Sequence, residues 1–297
     1  MTNNEGNLHS SIWEKMTKID RRVIYSLLLL VVVIPLIFPF KLRPKPMPPV
    51  EKLFNHIDTI PEDKCLVISV DYTPDTEAEL HPMTIALLRH AFARRKKVGV
   101  LCISLLGLGL AQDALTTVSN EFNSRASNNT DSIIYGRDYV FWGWQQPPLV
   151  PILGMGENIS KVFPVDYYGN KTDTLPMMKK IKNYNDVAIL VSIAGSAVPF
   201  WYITYAQTSF GVRIGAGSTA VQAADFYPYL NSGQVTGMMS GMKGAAEYEQ
   251  LVEERCNVFG RRKATDAMSS QTAAHIWIMI TIIIGNIGYF VIRRRKK

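Results

Sequence analysis

Four turns that follow apolar runs hold the side chains best suited to chemistry. The first reads Asp71, Tyr72, Thr73, Pro74, with more acids at Asp75, Glu77 and Glu79. A carboxylate at a strand end can hold a divalent ion, and acids in a first helical turn also complement the helix dipole. The other three are rich in small residues: Gly107 with Gly109, Gly195 with Ser196, and Gly215, Gly217, Ser218 and Thr219. Small residues at such turns let backbone amides approach an anion, although glycine there also serves the backbone angle alone. Neither phosphate motif is complete. Gln112 stands where the dinucleotide fingerprint wants its third glycine, and G-A-G-S-T at 215–219 lacks a Walker lysine. The expected ligand set is therefore Asp71, Thr73, Gly107, Gly109, Gly195, Ser196, Gly215, Gly217, Ser218 and Thr219, around an anion or nucleotide-like molecule.

Catalytic patterns are thin. His56, His81 and His90 have neither metal nor triad spacing, and Ser196 lies in A-G-S-A-V rather than a nucleophile elbow. Cys65, Cys102 and Cys256 form no C-x-x-C, and the first two sit in apolar runs as buried thiols would. The sequence points to no catalytic residue, no cofactor and no metal.

The elements that must carry these turns alternate between strand-like and helix-like patterns. Strands are expected at 65–70, 98–105, 139–144, 187–193 and 212–216. Helices are expected at 81–95 with Pro82 in first position, and at 111–122, 200–206, 219–225 and 229–253. Continuous apolar strands joined by helical crossovers predict an α/β fold, a Rossmann-like, doubly wound and mainly parallel sheet. Ligands on such sheets lie outside the carboxyl ends of the strands, where the four turns fall.

Within the last of these helices, Gly233, Gly237 and Gly241 repeat every four residues and would share one helical face. Each costs a helix up to about 1 kcal/mol relative to alanine, so close approach of another backbone is expected. That backbone belongs to the protein's own sheet or to another subunit; a bound ligand is the third reading.

Two uncharged apolar runs flank the domain, at 23–40 and 273–292. The second contains Asn286, a polar amide that asks for a partner helix or for the headgroup region. The net charge is +7 and is concentrated in the tails, which hold nine basic and three acidic residues. The nearly neutral remainder argues against nucleic acid as a partner. The expected organisation is a basic cytoplasmic tail at 1–22, a transmembrane helix at 23–40 and a Pro-rich linker at 41–50. An extracytoplasmic α/β domain at 51–260 follows, then a juxtamembrane segment at 261–272, a second transmembrane helix at 273–292 and a basic cytoplasmic tail at 293–297. Asn128, Asn158 and Asn170 each fit N-x-S/T.

Together these features predict a non-enzymatic, membrane-anchored subunit or scaffold, with the lipid bilayer and either its own copies or other membrane subunits as partners. The alternatives are a tethered ligand-binding or sensor domain using the carboxyl edge, and a membrane-bound hydrolase acting through Asp71 or Ser196.

Overall fold

The computed structural model describes residues 19–40, 44–126, 131–258, 260 and 262–295. Asn128 lies outside the described residues. The chain divides into two compact units, Arg43–Thr265 and a second made of Met1–Leu42 with Asp266–Lys297.

The larger unit is built on six parallel strands: β1 (Cys65–Asp71), β2 (Lys97–Cys102), β3 (Tyr139–Trp144), β4 (Val187–Ala194), β5 (Ile214–Ser218) and β6 (Val235–Ser240). Their order across the sheet is β3-β2-β1-β4-β5-β6. β1 is buried at every position, and β4 at every position but one, as strands covered on both faces must be. One face is covered by α2 (Pro48–Asp58), α3 (Glu77–Ala93), α4 (Leu108–Asn123) and, after β6, α10 (Gly241–Cys256). The other carries α5 (Leu149–Glu157) and α6 (Ile159–Val162). After β4 come α7 (Val198–Trp201), a π-helical turn (Tyr202–Gln207) and α8 (Thr208–Phe210), and after β5 comes α9 (Ala223–Asn231). Its core includes Trp142, Met155, Phe163, Tyr202 and Phe226.

Three expectations about this unit change. The helix expected at 229–253 is in fact the end of α9, a turn, β6 and most of α10. Gly233 lies in the turn at φ +78°, Gly237 in the strand and Gly241 at the start of α10 at φ +57°, so the three share no helical face. The close approach is real at Gly237, where a Cβ would lie 2.5 Å from Pro49 O and 2.6 Å from Leu53 N. The backbone that needs this space is α2 of the same chain, which leaves none there for another subunit. Second, α2 begins at Pro48, inside the expected linker, because proline suits the first turn of a helix. Third, the helix after β1 starts at Glu77, and Pro82 lies within it rather than at its head.

In the smaller unit, α1 (Arg21–Ile37) is shorter than the expected 23–40. Pro39 explains the early end: the residue before a proline is pushed out of the helical region, and Phe38 sits at φ −122°, ψ 74°. The last helix, α11, runs Lys263–Arg295 and absorbs most of the expected juxtamembrane segment. Glu249 starts it, accepting from Ala264 N at 3.2 Å and Thr265 N at 3.1 Å. Among the described residues α11 is the one helix long and apolar enough to cross a membrane. Within this unit Ser270 Oγ donates to Val32 O at 2.7 Å and Ser269 Oγ to Phe40 O at 2.8 Å, tying the first apolar segment to the N-terminal part of α11 ahead of its apolar run. Asn286 donates to Ile282 O of its own helix at 2.9 Å.

Candidate functional site

The strand order reverses direction between β1 and β4, so a crevice is expected where their carboxyl ends meet. Register puts Asp71 beside Ala194, and Ala194 beside Ser218. The turns carrying Thr73, Gly195 with Ser196, and Thr219 therefore leave the sheet side by side.

Asp71 anchors this end. Its Oδ1 accepts from Ile103 N at 2.5 Å and Ser104 N at 3.0 Å, which ties β1 to the turn after β2. Ser69 Oγ donates to its Oδ2 at 2.5 Å, and the Tyr202 hydroxyl lies 2.9 Å from Ser69. Burial pushes the Asp71 carboxyl up to about 6, although Ser69 and the two amides pull the other way. Desolvation outweighs the three hydrogen bonds, and among the described residues no cation acts on the group.

The remaining expected ligands separate into two sets. Thr73, Gly195, Ser196 and Thr219 are half-buried or exposed at the edge, and Gly109 is exposed with nothing near its missing Cβ. Gly107, Gly215 and Gly217 are buried, and each is glycine for space. A Cβ would meet Val70 O at 2.2 Å from Gly107, Leu53 Cδ1 at 2.8 Å from Gly215, and Met83 Sδ and Ile193 at 3.1 Å from Gly217. Ser218 is buried, and its hydroxyl has no hydrogen-bond partner; Ser192, beside Ser69 in the register, is in the same position. Two of the acids after β1 are held by the protein: Glu79 Oε2 accepts from Ala220 N at 2.9 Å, tying α3 to the turn after β5, and Asp75 accepts from Thr73 Oγ1.

Sequence reasoning missed the exposed apolar side chains on these same turns and the helices they open. Leu105 and Leu106 follow β2, Leu149 and Val150 follow β3, Trp201 follows β4, and Val221 follows β5 at 90% exposure. None belongs to a motif; only the sheet order gathers them.

The histidines are held inside networks. His81 Nδ1 lies 3.0 Å from the buried Tyr72 hydroxyl and Nε2 lies 3.2 Å from Asp113. His90 stacks on Phe54, with Nδ1 2.7 Å from the Tyr248 hydroxyl and Nε2 3.2 Å from Asp58. Burial lowers its pKa to about 4 against the pull of Asp58. Asp58, His90 and Cys256 bring their ligand atoms within 4.8 Å of one another. Asp58 Oδ1, however, already accepts from Arg94 Nε at 2.6 Å, and a guanidinium at that distance opposes a cation. Cys65 and Cys102 are fully buried free thiols, pushed up by burial.

Fold and edge together define a doubly wound, Rossmann-like α/β domain with a polar switch point and an apolar rim. No family model matches the chain, and neither does any curated protein or solved structure.

Proposed function

We propose that this protein is a non-enzymatic, membrane-anchored subunit or scaffold of a membrane protein assembly, and that it docks a partner protein on the carboxyl edge of its sheet. The observation that carries this reading is the set of exposed apolar side chains at that edge: Leu105, Leu106, Leu149, Val150, Trp201 and Val221. Scattered exposed apolar residues are ordinary, but a cluster on one rim is how a protein interface presents itself. The turns holding them are tied down, by Asp71 at the β2 turn in particular, so little order has to be gained on docking.

The anchor is a two-pass arrangement of α1 and α11, with both termini cytoplasmic and the domain outside. The hydrogen bonds from Ser269 and Ser270, in the N-terminal part of α11, to the first apolar segment support association of the two helices. The exposed Leu29, Ile37, Ile282 and Phe290 support lipid contact. Arg21, Arg22, Arg293 and Arg294, at the outer ends of the helices, support the orientation.

The test is the full-length double variant Leu106→Glu/Trp201→Asp, compared with wild type after mild detergent extraction from native membranes. Central apolar anchors typically contribute about 2 kcal/mol or more each. Self-association or co-purifying subunits should be lost while the melting temperature stays within a few degrees. An unchanged assembly would remove the reading.

A ligand-binding or sensor domain at the β1/β4 switch point is the second reading, favoured by the unpartnered buried hydroxyls of Ser192 and Ser218. Its measurement is a thermal shift against nucleotides and sugar phosphates, with Ser196→Asp, exposed at that edge, as the blocking variant.

A further inference from the structure

The opposite end of the sheet carries a cleft of about 450 Å³. Six cations line it, drawn from three separate stretches of chain. Lys64 precedes β1, Arg94, Arg95, Lys96 and Lys97 connect α3 to β2, and Lys180 comes from the segment before β4. We propose that this cleft binds an anion bearing clustered phosphate groups.

Positive charge in this cleft is only partly compensated. The ion pairs that reach the cleft are Arg94 with Asp58 and Arg95 with Asp131, the second at 3.6 Å between half-exposed groups. Lys96 Nζ donates to Ile60 O at 2.6 Å and Lys97 Nζ to Arg137 O at 3.2 Å. A carbonyl positions an ammonium group without neutralising it, so both lysines keep their full charge at fixed places. Lys64 and Lys180 form no side-chain hydrogen bond or ion pair among the described residues, and neither do the two acids that also line the cleft, Glu62 and Asp63. Six cations against Glu62 and Asp63 in the lining, with Arg94 and Arg95 paired to Asp58 and Asp131, leave the cleft net positive, and its lysines repel one another. An anion that enters relieves that repulsion as well as making contacts of its own.

The lining also selects the chemistry. Pro61 is the one apolar residue in it, and no aromatic ring is present to stack on a base. The cleft thus reads charge density rather than a nucleobase or an acyl chain. Phosphate chains and multiply phosphorylated sugars place several charges in so small a volume. Arg95 fits this role, since it holds the left-handed position after α3 at φ +53°. Glycine is the residue that adopts this conformation without strain, and the arginine there places a cation at the cleft wall in spite of it.

The experiment is titration of tripolyphosphate into the full-length protein in neutral detergent by isothermal calorimetry, at low and high salt. Saturable, salt-sensitive binding is expected, and Lys64→Glu/Lys180→Glu should weaken it about ten-fold or more with no change in melting temperature. No binding at low salt would overturn the proposal. Binding of full strength in the double variant would also overturn it, because the anion would then sit on the basic tails. Repeating the titration in phosphatidylcholine nanodiscs with and without phosphatidylglycerol identifies the source of the phosphate: competition by the anionic lipid assigns a headgroup, and its absence a soluble anion.

Discussion

At the carboxyl end of the sheet the connections present Leu106, Leu149, Trp201 and Val221 to solvent, while at the amino end they present Lys64, Arg95 and Lys180. Helix dipoles account for part of this difference. Helix N-termini gather at the carboxyl end and favour acids such as Glu77 and Glu79; the C-terminus of α3 lies at the amino end and favours Arg94 to Lys97. Dipoles give no reason for exposed leucine, tryptophan and valine, which is why these carry the docking proposal. The glycines divide in the same way. Gly107 and Gly217 leave room for packed neighbours without a positive φ, whereas Gly211 and Gly233 at the amino end have positive φ and open space around them. The two ends also bury ionisable groups of opposite effect, Asp71 at one and His90 at the other.

The strongest test of this contrast is Gly107→Ala. The added methyl would press on Val70 O, a backbone atom that cannot turn aside, and a loss of about 3 kcal/mol is expected in chemical or thermal unfolding. A near-neutral result would mean that the carboxyl-end turn is loosely packed, and the pre-ordered docking rim would go with it.

The next effect is in pH. Asp71 has a folded pKa of about 6, above its ordinary value of 3.8, so the stability it contributes is present below about pH 4 and is lost as pH rises through 6. His90 is lowered from 6.5 to about 4, so its contribution is present above 6.5 and is lost as pH falls toward 4. The two slopes oppose each other in wild type. Asp71→Asn keeps an acceptor for the Ile103 and Ser104 amides and removes the first slope. The variant should be more stable than wild type at pH 8, on the order of 1–3 kcal/mol, with stability that climbs more steeply between pH 4 and 6.5. Identical stability-versus-pH curves for the two proteins would exclude Asp71 as the source of the opposing slope.

The smallest effect is expected from Gly233→Ala at the amino end. No neighbour lies within 4 Å of the added Cβ, so the cost is the left-handed backbone alone, about 1 kcal/mol. A loss as large as that at Gly107 would erase the distinction between glycines kept for angle and glycines kept for space.

Much of the frame was legible from pattern. The runs at 65–70, 139–144 and 187–193 are apolar apart from Ser69 and Ser192 because helices cover both faces of the sheet, and that near-continuity reads as buried parallel strands. The turns after them could be named, and Thr73, Gly195, Ser196 and Thr219 do leave adjacent strand ends. The roles of Gly107, Gly215 and Gly217 were not legible. A glycine kept for space looks the same in sequence as one kept for angle, and the atoms it makes room for are remote in the chain.

The sequence by itself determined the α/β class, the buried strands and the apolar character of the two end segments, because each follows from the local periodicity of side chains against water or lipid. Only the tertiary structure decided what residues 235–240 are. V-T-G-M-M-S with glycines four apart satisfies a helical repeat, but its backbone pairs with β5 and packs against α2 so closely at Gly237 that a Cβ there would lie 2.5 Å from Pro49 O. Only tertiary structure, too, gathered Lys64, Arg95 and Lys180 at one end and Leu106, Trp201 and Val221 at the other. Both groups are assembled by the strand order, and strand order is fixed by packing between residues far apart in the chain, which no local pattern encodes.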